Sequence, residues 1–263
     1  MSARSHAQVI EVFHLLFLRV LTTNNAEWCT LKGGANLRYF FGSMRYSNDI
    51  DLDFVARRSW GIARSVESLL SGNALALLTR TASIEIAEFT TPKQTDTTLR
   101  WKVGLRSPEH PEVIRTKIEF SGRDNASDDV AVDVVPDAIV RPYAIQAPMV
   151  RHYGETAAIN QKIAALALRS ETKARDIFDL DHLFRMRRAS QPNLEGLDAT
   201  HAREAAQRAL EVPFASFSSE VAPFLDVDVA ALYTEATWEA MCVALCDHLS
   251  DLRFHDGAGG ERS

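Results

Sequence analysis

Several features that would assign the chain to a specialised class are scarce or absent from its sequence. The 263 residues include three cysteines, an odd and sparse set that excludes a disulfide framework and favours a reducing, cytoplasmic setting. No apolar run approaches the ~18 residues of a membrane span. The best candidate, residues 9–21, carries Glu11, His14 and Arg19. No small-residue cleavage site follows that run, so neither a membrane anchor nor a cleaved signal peptide is expected.

Motifs of two common enzyme classes are also missing. The chain has no G-x-S-x-G nucleophile elbow and no Walker A loop, which argues against a serine hydrolase and a P-loop enzyme. Cys242 and Cys246 are four residues apart, with His248 nearby. No fourth zinc ligand is evident, so we expect these thiols to pack in a helical core.

The overall charge gives a misleading first indication about nucleic acid. With 29 Lys and Arg against 35 Asp and Glu, the net charge of −6 argues against a nucleic-acid-binding protein. The acidity is confined to residues 191–263, with 4 basic and 13 acidic residues, whereas residues 1–190 contain 25 and 22. The first part is therefore mildly basic. Its Arg57–Arg58 and 185–188 runs could contact phosphates if they flank a cleft, although such runs are more often only solvated.

The spacing of apolar residues predicts an α+β part followed by an all-helical part. Residues 9–21 have the i, i+3, i+4 pattern of an amphipathic helix, and residues 49–55 alternate as in a strand. Further helices are predicted at 35–41 and 62–79, and four strands in a meander at 83–89, 98–105, 113–120 and 130–135. The period is then helical at 158–167, 177–184, 202–210 and 232–252, with a loop at 192–197. We expect domains at 1–150 and 151–256, and a disordered tail at 257–263.

The strand at 49–55 carries an unusual row of carboxylates. Asp49, Asp51 and Asp53 project from one of its faces, with Ile50 and Leu52 on the other. Three adjacent carboxylates repel one another and give an ordinary strand face no advantage. A Mg²⁺ or Mn²⁺ ion removes the conflict, because these hard cations bind carboxylates and complete their shell with substrate phosphates.

A glycine pair, Gly33-Gly34, lies upstream of this strand and opens a predicted helix, with Asp49 fifteen residues after Gly34. Glycines let backbone N–H groups approach a phosphate, and a helix N-terminus favours negative charge there. Either feature alone is more often a plain turn or a solvated strand face. Together they provide a phosphate cradle and metal-binding carboxylates, the minimum equipment for phosphoryl or nucleotidyl transfer.

These two segments resemble a known enzyme group. Gly-Gly followed by Asp-x-Asp on the next strand is similar to the signature of the DNA polymerase β-like nucleotidyltransferase fold. The fuller segments, G-G-A-N-L-R at 33–38 and R-Y-S-N-D-I-D-L-D at 45–53, resemble the AbiEii/AbiGii toxin family, which includes the MenT toxins. The resemblance implies a polymerase β-like N-terminal domain with a mixed sheet. An all-helical C-terminal domain, contributing residues to the cleft, is expected to follow.

The resemblance also implies further site residues. Such enzymes carry a third carboxylate on a later strand, and Glu119 is the candidate; the alternative is a solvent-facing strand residue. A helix lysine and a later R-D-x-x-D-L segment correspond to Lys162 and to Asp176 and Asp179. Lys162 is expected to hold the triphosphate, and Asp176 to position Lys162 or the acceptor hydroxyl. Asp179 is expected instead to pair with Arg175 on the helix surface.

One position departs from the family pattern. Many polymerase β-like proteins have a Ser or Thr directly after the glycine pair, where this chain has Ala35. Backbone contacts survive the change, so the resemblance implies weaker phosphate contact rather than inactivity, and Ser47 could supply a hydroxyl instead. The expected nucleotide-binding residues are thus Gly33, Gly34, Arg45, Ser47 and Lys162.

The resemblance implies the toxin of a type IV toxin–antitoxin or phage-defence system. We expect the chain to transfer NMP from an NTP to RNA, at the 3′ end of tRNA, which blocks translation. The expected metal ligands for Mg²⁺ or Mn²⁺ are Asp49, Asp51 and Glu119, and the expected catalytic residues are Asp49, Asp51, Lys162 and Asp176. An AbiEi-like antitoxin is the expected partner. Two alternatives stay open: NMP transfer onto a protein hydroxyl, and a non-catalytic module that binds an antitoxin or RNA.

Overall fold

The computed structural model of the protein describes residues 3–23, 27–55, 59–122, 127–186 and 198–252. The chain divides into two compact units, Met1–Gly154 and Glu155–Ser263. Four features named from the sequence lie wholly or partly outside the described residues: Arg57–Arg58, the end of the 185–188 run, the loop at 192–197 and the tail at 257–263.

A mixed sheet forms the framework of the first unit. Its strands are β1 (Cys29–Lys32), β2 (Asp49–Phe54), β3 (Glu85–Gln94), β4 (Thr98–Ser107), β5 (His110–Gly122), β6 (Val130–Val134) and β7 (Met149–Tyr153). They lie in the order β3-β4-β5-β2-β1-β7-β6. The β2–β5 and β1–β7 pairs are parallel and the others antiparallel. The predicted acidic strand, β2, is therefore the central strand of the sheet.

Helices cover this sheet. Within the described residues of the unit, the α-helices are α1 (His6–Thr22), α2 (Gly33–Phe40), α3 (Ser59–Leu70), α4 (Asn73–Thr81) and α5 (Asp137–Val140), and a 3₁₀ helix spans Arg141–Tyr143. Helix α1 begins with a capping box in which Ser5 and Gln8 bond each other's backbone N–H. Phe13 and Phe17 of α1 are fully buried in the core, and each such side chain stabilises the fold by about 2–3 kcal/mol.

Two sequence predictions are wrong in detail. The helix expected at 62–79 is two helices, α3 and α4. The chain turns between them at Gly72, where a Cβ would lie 2.7 Å from the carbonyl oxygen of Ser68. The predicted meander holds only for β3, β4 and β5, because β6 lies at the opposite edge and pairs with β7.

Strand β7 was not predicted. Its five residues include Arg151 and His152 in succession, so they lack the alternation that marks a half-buried strand. The predicted domain limit at 150 falls inside this strand. The first unit extends through Gly154 because β7 completes the sheet beside β1.

A buried histidine connects α1 to the start of β2. His14 has no exposed surface, and its Nε2 lies 2.8 Å from Thr116 Oγ1. The Thr116 hydroxyl donates its hydrogen to the carbonyl oxygen of Asn48, at 2.7 Å, so Nε2 of His14 is the donor to Oγ1. Burial lowers the pKa of His14 to about 3, which keeps the ring neutral. These hydrogen bonds fix Asn48, and with it the backbone that leads into Asp49.

The second unit contains only helices among its described residues. Its α-helices are α6 (Glu155–Leu168), α7 (Ala174–Met186), α8 (Ala199–Ala209), α9 (Phe214–Glu220), α10 (Val227–Ala230) and α11 (Glu235–Ser250), and a 3₁₀ helix spans Ala222–Phe224. Trp238 is 1% exposed and donates from Nε1 to the carbonyl oxygen of Val212 at 2.9 Å. Cys242 is buried in α11, and burial raises the pKa of its thiol to about 12. The mixed sheet and the helical second unit confirm the predicted fold class.

None of the helices in the described part of the chain is long and apolar enough to cross a membrane.

Candidate active site

The acidic face of β2 lies between β1 and β5. Asp51 is opposite Lys32 of β1 and Glu119 of β5, and Asp49 is opposite Lys117 of β5. Residues opposite one another on neighbouring strands project from the same face of a sheet. The register therefore brings together Asp49, Asp51 and Glu119, the three residues expected to hold a metal ion.

The glycine turn packs directly against this face. Strand β1 ends at Lys32, and α2 begins at Gly33, whose φ of +69° is in the left-handed region. A Cβ on Gly33 would lie 2.9 Å from Oδ2 of Asp51, closer than a carbon and an oxygen can approach without displacement. The left-handed backbone therefore favours glycine at this position, and any larger residue would also displace the Asp51 carboxylate.

The second glycine of the pair lies against Arg45 and Ser47. A Cβ on Gly34 would be 2.7 Å from Nη2 of Arg45 and 2.8 Å from Oγ of Ser47. Arg45 is buried and donates from Nη1 to the carbonyl oxygen of Tyr46, while the Ser47 hydroxyl donates to the carbonyl oxygen of Asp49 at 2.7 Å. The structure thus gathers these predicted nucleotide-binding residues of the first unit around one turn.

Asp51 has an unusual electrostatic environment. Within the part of the chain that the structure describes, its carboxylate is in no hydrogen bond or ion pair. Burial raises its pKa, and the negative charges of Asp49 and, to a smaller extent, Glu119 raise it further, against the opposing charges of Lys117 and Lys32. Because this carboxylate has no partner and lies beside two other carboxylates, a cation bound there would lower the free energy of the folded protein.

The neighbouring carboxylates are partly neutralised by cations. Lys117 Nζ lies 2.8 Å from Asp49 Oδ2 and 4.0 Å from Glu119 Oε2, and Arg100 Nε lies 2.7 Å from the same Glu119 oxygen. Lys117 and Arg100 were not singled out from the sequence. Lys117 and Glu119 are two residues apart and share a face of β5, but only the parallel register of β5 on β2 shows that Lys117 meets Asp49.

Glu119 is neither fully buried nor free in solvent. Its side chain is 19% exposed, and Arg100 holds it on the face of Asp51. The carboxylate oxygens of Asp49, Asp51 and Glu119 do not all lie within 4.8 Å of one another, the spacing at which three side chains could share a metal ion. Among the described residues, one group of His, Cys, Asp or Glu side chains has that spacing, and it lies elsewhere in this unit. The assignment of Glu119 as the third metal ligand stays a prediction.

The third aspartate of the strand, Asp53, has a structural role. Asp53 is 1% exposed, pairs with Lys32, and accepts a hydrogen bond from the hydroxyl of Tyr153 at 2.9 Å. It therefore ties β2 to β1 and β7 and is already neutralised. Of the three aspartates, Asp49 and Asp51 are the two that remain partly accessible.

In the second unit, Lys162 lies between two buried aspartates. Its Nζ is 2.9 Å from Oδ1 of Asp176 and 2.6 Å from Oδ2 of Asp179, and neither aspartate is exposed. Arg169 Nε lies 3.2 Å from the other oxygen of Asp176. The predicted surface pair of Asp179 with Arg175 is wrong, because α7 turns Asp179 into the core. The catalytic roles of Lys162 and Asp176 stay predictions.

Changing Lys162 to methionine is expected to destabilise the protein by about 3–5 kcal/mol, since two buried carboxylates would lose their shared cation. Lys173→Met is the matched control. Lys173 pairs with Glu171, which is 75% exposed, and with Glu220, so its loss should cost less than about 1 kcal/mol. Urea unfolding of both variants measures the difference. Equal losses of stability would contradict the buried-cluster interpretation.

Comparisons with known proteins found a family match and similar solved structures. The family model described as "Nucleotidyl transferase AbiEii toxin, Type IV TA system" matches residues 16–254. JHP933 from Helicobacter pylori has a similar solved structure, with a TM-score of 0.58 and 20% identity over 95% of each chain. A protein from H. pylori provisionally named a nucleotidyltransferase has a TM-score of 0.58 and 19% identity, over 96% of this chain and 100% of its own. At these identities the two structures show the fold alone. No curated protein matches the chain.

Proposed function

The chain belongs to the nucleotidyl transferase AbiEii toxin family of type IV toxin–antitoxin systems, and on that premise we propose that it transfers NMP from an NTP to the 3′ end of tRNA with the help of Mg²⁺. Family membership makes it a nucleotidyltransferase that takes a nucleotide substrate and has an antitoxin partner. The choice of RNA as acceptor, the metal and the individual site residues are the content of the proposal.

The observation that carries the proposal is the Asp51 carboxylate, which in the described structure has no partner and lies against the backbone of Gly33. Carboxylate oxygens are the ligands that Mg²⁺ prefers, and Mg²⁺ is commonly held by one or two of them together with substrate phosphates. Asp49 and Asp51 would hold the ion. When bound, it would supply charge stabilisation to the transferring phosphoryl group.

The glycine turn and the start of α2 would bind the triphosphate. The first N–H groups of a helix have no partner within the helix and attract anions. No side chain caps the N-terminus of α2, and a side chain at position 33 or 34 would occupy the space in front of Asp51 or Ser47. The Ser47 hydroxyl donates to the carbonyl oxygen of Asp49, so it would have to rotate to donate to a phosphate.

The proposed reaction is an in-line displacement. The acceptor hydroxyl forms a bond to the α-phosphorus, the bond from the α-phosphorus to the oxygen bridging the α- and β-phosphates breaks, and pyrophosphate leaves with that oxygen. The proton of the acceptor hydroxyl is released to water as the new bond forms.

An RNA acceptor is consistent with the charge of the first 190 residues, which contain 25 basic and 22 acidic residues although the acidic count includes Asp49, Asp51 and Glu119. A mildly basic surface lowers the free energy of binding to a phosphate backbone, and this contribution weakens as salt is added. Charge alone does not distinguish tRNA from another RNA, so the acceptor needs a direct assay.

The test is to incubate the full chain and Mg²⁺ with each of the four α-labelled NTPs, in the presence of either total tRNA or a tRNA-free protein extract. Label in tRNA that is lost when the 3′ end is oxidised beforehand supports the proposal. Label in protein alone would replace it with transfer onto a protein hydroxyl. No label in either fraction, with any NTP, would contradict nucleotidyl transfer altogether.

A further inference from the structure

A second group of metal-ligating side chains lies in the first unit, apart from the acidic strand. His6 at the start of α1 and His110 and Glu112 at the start of β5 have ligand atoms that all lie within 4.8 Å of one another. His6 Nε2 is 2.7 Å from Glu112 Oε1, and the two imidazole rings have centroids 4.1 Å apart. None of these residues belongs to the proposed nucleotide site.

The hydrogen bond of His110 leaves its other nitrogen free to bind a metal. His110 Nε2 lies 2.8 Å from the backbone carbonyl oxygen of Arg4. A carbonyl oxygen only accepts, so Nε2 carries the hydrogen and, in the neutral ring, Nδ1 presents a lone pair. A hydrogen bond from the other ring nitrogen to a backbone carbonyl is the usual way in which proteins fix the tautomer and orientation of a metal-binding histidine.

The backbone around the three residues is well anchored. Ser5 and Gln8 form the capping box that starts α1, which fixes the position of His6. Ser107 is paired with His110 where β4 turns into β5. Arg4 Nε is 3.0 Å from Glu109 Oε2, so this neighbouring positive charge already has its own carboxylate. Little ordering of the chain would therefore be needed for a metal to bind.

We propose that His6, His110 and Glu112 form a binding site for Zn²⁺ or a similar divalent transition metal, which links the N-terminus of α1 to the β4–β5 hairpin. Two imidazoles and one carboxylate suit Zn²⁺, Co²⁺ or Ni²⁺ better than Mg²⁺. His6 and Glu112 are about half exposed, so water can complete the coordination shell. On binding, the metal takes the place of the hydrogen between His6 Nε2 and Glu112 Oε1, and the neutral His6 ring then carries its hydrogen on Nδ1.

This site is separate from the acidic strand. His110 precedes Lys117, the residue that contacts Asp49, by seven positions on the same strand, a distance of about 23 Å at the rise of a β-strand. The metal would thus act on the stability of the first unit, with no direct contact to the nucleotide. Because it binds the folded chain, it should raise the melting temperature as its concentration increases.

The experiment uses the full chain without an affinity tag, titrated with Co²⁺ while its visible absorption is recorded, and with Zn²⁺ in a calorimeter. We expect the visible absorption to show one bound Co²⁺ per chain. Zn²⁺ should displace this Co²⁺, and millimolar Mg²⁺ should leave the absorption unchanged. Saturating Zn²⁺ should raise the melting temperature by several degrees. His110→Ala should weaken binding by at least about 10²-fold, because the loss of a ligand costs no less than the roughly 10–100-fold lost with an outer-shell partner.

Two further variants make the result decisive. Glu112→Gln keeps the size of the side chain and the fold, and should also weaken binding, so a misfolded His110→Ala protein would not hide the outcome. His201→Ala is the matched control, because His201 also faces a carboxylate, Asp198, with Nε2 3.8 Å from Oδ2, and should leave binding unchanged. Binding that persists in both His110→Ala and Glu112→Gln, or no binding in the unaltered chain, would overturn the proposal.

Discussion

Changing Asp51 to asparagine is expected to lower the rate of NMP transfer by about 10³-fold or more, which corresponds to a loss of at least ~4 kcal/mol of transition-state stabilisation. Asparagine keeps the shape of the side chain but removes the negative charge that lies beside Gly33 and between Asp49 and Glu119. The rate is measured as label transferred from the NTP that the unaltered protein uses best.

The same variant should fold at least as well as the unaltered chain. Burial and the charge of Asp49 raise the pKa of Asp51. A carboxyl with a raised pKa makes folding less favourable as pH rises from its unfolded pKa through its folded pKa, since the unfolded chain releases the proton more readily. An asparagine side chain cannot ionise, so this cost is absent from the variant at neutral pH. Thermal melting of both proteins at neutral pH measures the difference.

Glu88→Gln is the control for a lost carboxylate. Glu88 of β3 pairs with Arg115, and both side chains are more than half exposed, so its removal should change transfer by less than about twofold and stability by less than about 1 kcal/mol. A variant Asp51→Asn that keeps more than a tenth of the normal rate would show that Asp51 does not hold the reacting groups. If Asp51→Asn instead unfolds, Asp51 has a structural role and the site must be reassigned.

Changing Gly33 to alanine is expected to lower transfer by about 10²-fold, the cost of displacing a reacting group by about 1 Å. The added Cβ would lie 2.9 Å from Oδ2 of Asp51, so the carboxylate must move. Alanine at a φ of +69° also costs about 1–2 kcal/mol of folding free energy, because its Cβ approaches the backbone in the left-handed region.

Gly42→Ala separates these two effects. Gly42 has a φ of +67°, and a Cβ built there would have nothing within 4 Å. This variant therefore carries the same backbone strain without contact to the site, and we expect a similar loss of stability but normal transfer. Transfer rates at saturating NTP, compared below the melting temperature of both variants, provide the measurement. A similar loss of activity in both variants, or normal activity in Gly33→Ala, would refute the steric interpretation.

The sequence predicted those parts of the fold whose cause is local. The buried stripe of α1 appears as the i, i+3, i+4 spacing of its apolar residues, and the core face of β2 as strict alternation. The start of α2 at the glycine pair could be predicted because it depends on the local backbone conformation and needs no partner from elsewhere in the chain. The two motifs, although separated in sequence, could be placed in one site because a phosphate cradle and metal-binding carboxylates serve the same chemistry, and because the pair resembles the signature of a known family.

The parts that were missed depend on contacts between distant segments. The parallel register of β2 on β5, which places Lys117 beside Asp49, follows from tertiary packing and leaves no local signal. Asp179 is a similar case. Spacing along α7 allowed a surface pair with Arg175, but α7 instead turns Asp179 into the core, where Lys162 of α6 neutralises it. The resemblance to a family indicated Lys162, Asp176 and Asp179, whereas the pairing of both aspartates with Lys162 is known only from the structure.

The central claim is that the glycine turn and the acidic strand form a Mg²⁺-dependent site for a nucleoside triphosphate. The most direct test is calorimetric titration of the full chain with non-hydrolysable analogues of each NTP, in Mg²⁺ and in EDTA, for the unaltered protein, Asp51→Asn and Glu88→Gln. We predict binding of at least one analogue by the unaltered chain and by Glu88→Gln in Mg²⁺, with at least about 10-fold weaker binding in EDTA or in Asp51→Asn, equivalent to ~1.4 kcal/mol. Binding of equal strength under all of these conditions, or no heat with any analogue, would contradict the account.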